Sequence, residues 1–298
     1  MKTRDIFLVL FMNFAFGAAF ISAKVGVGEF PPLFFTAMRF LIIGLLLIPF
    51  LKIHHGQMIN ILIISFLGGG IHFSFFYLAL DNSEYISSVA IVLQLGVPFA
   101  TILSVIFLNE VIRWRRVLGI FFAFSGVIIL IFEPTVLNDL GGVYYALLAA
   151  FSMSVSLLFM KKLKNIKVFD LQAWVALISC IFLGLASYFL EQDQTSAVID
   201  ATLKGWVAVA FTALVATGIG HAGFYYLLTK YDISKIIPLT LLAPVLGIIN
   251  ALIISYFSLI EGFSEIISYK IIIGGSLTLV GVAIVMMREK SKELPESP

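Results

Sequence analysis

Ten stretches of about twenty predominantly apolar residues fill this chain almost from end to end, with most of its charged residues at the short connections between them. In a bilayer each segment must satisfy its own backbone polar groups, so runs of this length are helices rather than soluble strands. With 61% hydrophobic and 12% charged residues and a mean hydropathy of +1.08, a chain of 298 residues has too little polar surface for a soluble globule. The expected spans are residues 5–26, 31–51, 59–80, 84–108, 113–133, 141–162, 169–190, 203–228, 233–257 and 267–287. The first reads as a membrane helix rather than a secretory signal, because a comparable segment recurs at 141–162.

Lysine and arginine set the expected orientation. If the N-terminus is cytoplasmic, the inner connections collect Lys2, Arg4, Lys52, Arg113, Arg115, Arg116, Lys161, Lys162, Lys164, Lys167, Lys230, Lys235, Arg288, Lys290 and Lys292. The outer side keeps Lys24, Lys204 and Lys270 beside acids such as Glu29, Glu84, Glu191 and Glu265. This bias places both termini in the cytoplasm and the chain in the cytoplasmic (inner) membrane, with the lipid bilayer as its main partner. The net charge of +2 is then a topological signal. No basic patch with interleaved aromatics points to nucleic acid.

The sequence also repeats itself. Glu110, Gly119 and Gly126 recur with the same spacing as Glu265, Gly274 and Gly281. His72-Phe73-Ser74-Phe75-Phe76-Tyr77-Leu78 pairs with His221-Ala222-Gly223-Phe224-Tyr225-Tyr226-Leu227, Ile86-Ser87 with Ile233-Ser234, and Lys24 with Lys161. These matches indicate an internal duplication. The halves are residues 1–137 and 138–288, each holding five helices, with 289–298 left as a polar cytoplasmic tail. An odd number of crossings per half requires the second copy to start from the opposite side of the membrane, the inverted-repeat plan of many secondary transporters.

The order and spacing of several short motifs resemble a known family. Gly17-Ala18-Ala19-Phe20, Lys24, Pro31-Pro32, Arg39-Phe40 and Leu108-Asn109-Glu110, followed by Gly119 and Gly126, resemble the repeated domain of the EamA family in the drug/metabolite transporter superfamily. In the second half, Ala216-Thr217-Gly218-Ile219-Gly220, Tyr231 and Pro238 to Val245 are similar to the second repeat of exporters of this family. The chain departs from the pattern at Phe16, where tryptophan is usual, at His221, where an aromatic is usual, and in the added stretch Ser258 to Ser264. The resemblance implies an all-α integral membrane fold of ten helices around a central cavity lined by helices 1, 3, 4, 6, 8 and 9. Polar residues that cannot face lipid cheaply concentrate in those helices: Asn13, His72, Ser74, Gln94, Ser152, Ser154, Ser156, Thr217, His221, Thr240 and Asn250.

Within that set, the expected substrate-binding residues are Asn13, His72, Gln94, Ser156, His221 and Tyr225, and the expected gating residues are Pro98 and Pro244. A histidine titrates near physiological pH, so His72 and His221 can bind a carboxylate or carry a coupled proton; the alternative is a neutral imidazole hydrogen-bonded between helices. Proline inside a helix removes an N–H and loosens the backbone, which serves either a gate or a fixed bend. Gln94 lies one turn before Pro98. Tyr225 and Tyr226 supply aromatic wall or interfacial anchors. Glu110 and Glu265 read as carboxylates that stabilise the start of the next helix, and the glycines after them as sites of close helix packing. Arg39, about two turns inside the second helix, either snorkels outward or neutralises an acid on a neighbour, with a substrate role as a further reading.

Absences narrow the chemistry. No acid lies near the middle of a helix, there is no phosphate-binding glycine-lysine motif, and there is no metal-binding arrangement; Cys180 is alone. No cofactor is expected, nor an enzyme. The expected activity is secondary export of amino acids or small amphiphilic metabolites by alternating access, coupled to a proton or an exchanged solute. The alternatives are an uptake or exchange carrier for a nucleotide-derived or other metabolite, and more remotely a channel or an intramembrane enzyme.

Overall fold

The computed structural model describes residues 3–109, 112–137, 140–221, 223, 226–227, 237–260, 263 and 265–287. Among these residues, ten helices are long and apolar enough to cross a membrane: α1 (Thr3–Glu29), α2 (Pro32–Phe50), α3 (Met58–Asp81), α4 (Ile86–Leu108), α5 (Trp114–Ile131), α6 (Leu140–Met160), α7 (Val168–Leu190), α8 (Leu203–Gly220), α9 (Leu239–Tyr256) and α10 (Tyr269–Met286). No strand occurs among the described residues. The bounds follow the expected spans closely, except where α8 and α9 adjoin residues 228–236, which lie outside the described set. Glu110, Tyr225, Ser264 and the tail fall outside it as well.

Local sequence sets the helix ends. Proline occupies the first turn of α2, where its missing N–H has no partner to lose. Asn109 ends α4 in the left-handed region at φ 53°, and the Ser268 side chain accepts from the Ile271 N–H to cap α10. Two short polar-flanked helices, Pro134–Leu137 and Gln194–Asp200, join the long ones. They are too short for hydrophobic periodicity to announce them.

Besides the 3₁₀ end of α2 at Ile48–Phe50, four of the described helices depart from regular α geometry. α3 is π-helical over Ser65–Ile71 and α8 over Phe211–His221, so His72 and His221 each stand at the end of such a stretch. α4 is interrupted at Gln94 and Leu95, whose N–H groups bond three residues back, to Ile91 and Val92. α9 begins as a tight 3₁₀ turn, Ile237–Leu241. These are the places where a backbone group can be released from the helical ladder.

The tightest seams are built on glycine. A Cβ on Gly119 would lie 2.7 Å from the Gly281 carbonyl, and one on Gly274 would lie 2.6 Å from the Gly126 carbonyl, so α5 and α10 touch backbone to backbone and run antiparallel. Thr278 spans the same seam, its hydroxyl bonding the carbonyls of Gly274 and, on α5, Ala123. α2 and α7 also run antiparallel: Gly44 faces Ala176, and the Glu191 carboxylate at the end of α7 accepts from the N–H groups of Leu33 and Phe34. Two further sets of neighbours match. α1 packs on α8 and α9, and α6 packs on α3 and α4. Exchanging each of the first five helices with the one five later maps one set onto the other.

Candidate substrate-binding site

The polar centre of the bundle begins with Arg39. On α2, Thr36, Arg39, Phe40 and Ile43 are all buried, a helical stripe that turns Arg39 into the protein instead of toward lipid. Only 5% of its surface is exposed. It therefore does not snorkel, and no carboxylate among the described residues pairs with it. Its Nη1 donates to the Tyr77 hydroxyl at 2.6 Å. Nε and Nη2 both donate to the Thr217 hydroxyl, at 3.0 and 2.6 Å. Thr217 can accept both because its own proton is directed to the Thr212 carbonyl. The guanidinium carbon also lies 4.5 Å from the Phe73 ring centre and 5.5 Å from that of Phe40, contacts of the cation–π kind.

His72 adjoins this group on α3. Its Nδ1 is 2.9 Å from the Ala149 carbonyl of α6. A carbonyl only accepts, so Nδ1 carries the proton and Nε2 of the neutral ring is left as an acceptor. The imidazole meets Phe73 at 4.7 Å and stacks on Phe76 at 6.3 Å between ring centres. Phe20 of α1 meets Phe76 edge-on at 5.7 Å. His72, Phe73, Phe76 and Phe20 all keep part of their surface accessible, whereas Tyr77 beside them is fully buried. An aromatic wall with one basic edge and one acceptor is the result.

The other expected residues divide. Gln94 occupies the break in α4, partly accessible. The next turn, at Gly96, lies against the Ala150 carbonyl, one residue from the carbonyl that holds His72, so α6 links the two. Asn13 is fully buried; its Nδ2 donates to the Val9 carbonyl at 2.8 Å, and its Oδ1 has no partner. Asn250 on α9 likewise has a buried Nδ2 without a partner. Ser156 is used differently: 1% exposed, its hydroxyl 3.4 Å from the Ile64 carbonyl, it packs on Gly68 at the seam of α3 and α6. Ser152 and Ser154 also bond carbonyls across α6 seams, at Leu67 and Gly96. His221 is placed by its backbone only, and Tyr225 lies outside the described residues. Pro98 follows the α4 break; without an N–H it leaves the Gln94 carbonyl to accept from Val97 instead. Pro244 is in the first α-helical turn of α9, directly after the 3₁₀ turn.

Tyr77 and Phe73 were not singled out from the sequence. The available signals were Arg39 itself, a mid-helix cation that must find partners somewhere, and the repeated segment His72 to Leu78 that carries both residues.

At the end of the bundle where α1 finishes, helix starts are tied by carboxylates from other segments. Glu265 accepts from the N–H groups of Ile86 and Ser87, both at 3.0 Å, and Glu29 from the Thr202 N–H at 2.8 Å and its hydroxyl at 2.6 Å. Lys24 donates to the carbonyls of Leu80 and Ser83. The expected helix-stabilising role of Glu265 is thus performed on α4, not on the α10 that follows it. Burial pushes its carboxyl up from the ordinary value, while the N–H groups of Ser87 and Ile86 and the Lys24 ammonium pull it down less strongly.

The comparisons agree with this architecture. The EamA-like transporter family matches the chain twice, over residues 3–132 and 140–287. A "Probable amino-acid metabolite efflux pump" of Salmonella typhimurium is 28% identical over 268 residues, 85% of this chain and 88% of that protein. An "Uncharacterized transporter" of Archaeoglobus fulgidus is 27% identical over 290 residues, 95% of this chain and 98% of that one. A solved crystal structure superposes with a TM-score of 0.63 at 17% identity, covering 96% of this chain and 98% of its own, a likeness of fold. With both halves matched, the chain belongs to the EamA-like transporter family.

Proposed function

We propose that this membrane transporter exports amino acids or small amphiphilic metabolites by alternating access. The observation that carries the reading is the partly accessible wall of Phe20, His72, Phe73 and Phe76 beside the buried Arg39. It supplies apolar area for a side chain and a few fixed polar groups for orientation, the usual composition of a small-molecule site. Two relatives, of Salmonella typhimurium and Escherichia coli, carry the name of probable amino-acid metabolite efflux pump, which supports the same substrate class.

The moving parts in this reading are two inverted halves, residues 1–137 and 138–288. The antiparallel pairing of α5 with α10 and of α2 with α7 supports inversion, since helices equivalent under a direct repeat would share a direction. Arg39 and Tyr77 belong to one half and Thr217 to the other, so rocking of the halves is transmitted to the site. The breaks beside Pro98 and Pro244 supply the bending points. The substrate contacts are His72 and Gln94, with Asn13, His221 and Tyr225 completing the set. His72 Nε2 is the acceptor through which a proton or an exchanged solute couples. Both termini lie in the cytoplasm of a cytoplasmic-membrane protein.

Counterflow by purified protein in proteoliposomes tests this. His72→Ala combined with His221→Ala is expected to abolish pH-dependent exchange of amino acids. Unchanged transport and pH profile in that variant would remove the histidines from the mechanism.

A further inference from the structure

Arg39 is a cation in the interior of a membrane protein whose described partners are neutral. Its guanidinium has five N–H donors. Three are taken, by the Tyr77 hydroxyl and twice by the Thr217 hydroxyl. One N–H on each terminal nitrogen remains. No ion pair with a carboxylate among the described residues balances its charge, and a buried charge of this kind is costly unless a counter-ion joins it.

We propose that Arg39 is the receptor for the substrate's carboxylate, and that the transported class is anionic or zwitterionic amino-acid carboxylates with an apolar body rather than cationic amines. This rests on the reading of the protein as an exporter of amino-acid-like metabolites and names the group by which it recognises them. Three observations carry it. The remaining N–H groups sit on the two terminal nitrogens of one planar group, the arrangement that grips both oxygens of a carboxylate. Tyr77, itself fully buried, and Thr217 hold the guanidinium at fixed points on two helices, so little side-chain freedom is lost when the ligand arrives. Phe73 lies against the guanidinium at 4.5 Å and continues through Phe76 to Phe20, so an apolar surface for the rest of the molecule begins where the charge ends.

A specific division of labour follows. Thr217 is on α8 and belongs to the π-helical stretch Phe211–His221, whereas Arg39 and Tyr77 are on α2 and α3. A carboxylate bound at Arg39 therefore bears on the contact between the two halves, and release of the ligand leaves the cation with its hydroxyl partners alone. A cationic ligand meets like charge at the same place and is rejected.

The test uses purified full-length protein in nanodiscs and the common amino acids, each as the free acid, the N-acetyl acid and the amide. Binding is read by calorimetry and thermal shift. The expected result is that acids and N-acetyl acids bind and the matched amides bind at least about tenfold more weakly, the size of one charge-assisted contact. In Arg39→Gln that ratio falls toward one, while Arg39→Lys keeps a preference for acids. Equal binding of acid and amide to the wild type, or binding of no carboxylate, overturns the proposal without need of any variant. Tyr77→Phe is a second arm if Arg39→Gln does not fold: it frees one N–H while keeping the charge, so the affinity for acids is expected to change and that for amides to stay, and an unchanged affinity for acids counts against Arg39. Transport of acids by Arg39→Gln at the wild-type rate and affinity overturns the role of Arg39 and leaves the exporter reading intact. Acid-selective binding without counterflow does the reverse.

Discussion

Gly126 and Gly274 meet backbone to backbone across the seam of α5 and α10, with a Cβ on Gly274 falling 2.6 Å from the Gly126 carbonyl. Gly119 and Gly281 make the reciprocal contact about two helical turns away. Helices in lipid gain little from burying apolar side chains against one another, so their association depends on close packing that only small residues allow.

Gly274→Val is therefore expected to destabilise the fold by about 1–3 kcal/mol, the range for overpacking a filled interior. The measurement is the thermal unfolding midpoint of the protein in detergent. Gly28→Ala is the control: nothing lies within 4 Å of a Cβ placed there, and its midpoint is expected to stay close to that of the wild type.

Glu265 gives the second expectation, with a sign that depends on pH. Burial holds its carboxyl above the ordinary value of 4.5, so the folded protein binds that proton more tightly than the unfolded chain does. Stability then falls as pH rises from the ordinary glutamate value through the raised one, and is flat above it. The charged and titratable groups facing it are Lys24 and Tyr85. Glu265→Gln carries no charge and is expected to flatten this segment of the profile. Thermal midpoints of both proteins between about pH 4 and pH 8 provide the check; parallel curves would assign the pH dependence elsewhere.

The helix ends of α2 offer a simpler measurement. Glu191 accepts from Leu33 and Phe34 at 2.7 and 2.9 Å, satisfying two N–H groups that the helix cannot bond itself. Glu191→Ala removes both acceptors and is expected to cost about 1 kcal/mol, as the loss of a helix cap does. Faster hydrogen exchange at Leu33 and Phe34, without change at Ile86, would locate the loss at α2.

The sequence reveals helices, glycine seams and polar content far better than it reveals crossings. Segment length alone located α1 to α7 because the bilayer fixes how long an apolar run must be. The repeated glycines were legible as packing surfaces, and they pack on their own counterparts. The site was legible only in part. Ser156 carries the same hydroxyl as a pocket-lining serine, and only the three-dimensional contact with Gly68 and Ile64 shows that it packs a seam. Arg39 was conspicuous, but its partners lie 38 and 178 residues away, and no periodicity encodes such a meeting. The π-helical stretches were invisible because glycine and apolar residues suit an α-helix equally well.

Pro98 carries the last prediction. It follows the interruption of α4 at Gln94 and Leu95, and having no N–H it cannot bond the Gln94 carbonyl four residues back. Pro98→Ala restores that donor and removes the ring clash, so the two segments Ile86–Leu93 and Gly96–Leu108 are expected to join into one continuous helix. Two effects then separate. Proline in a helix interior costs roughly 3 kcal/mol, so healing the break is expected to hold or raise the thermal midpoint. If the break is a bending point for alternating access, the same substitution is expected to slow counterflow in proteoliposomes by about tenfold, equivalent to about 1.4 kcal/mol on the conformational barrier. Binding of ligand, measured at equilibrium, should change little. A variant that is more stable, binds as before and transports slowly identifies Pro98 with gating, whereas one that is more stable and transports at the wild-type rate shows the break to be a fixed element of shape.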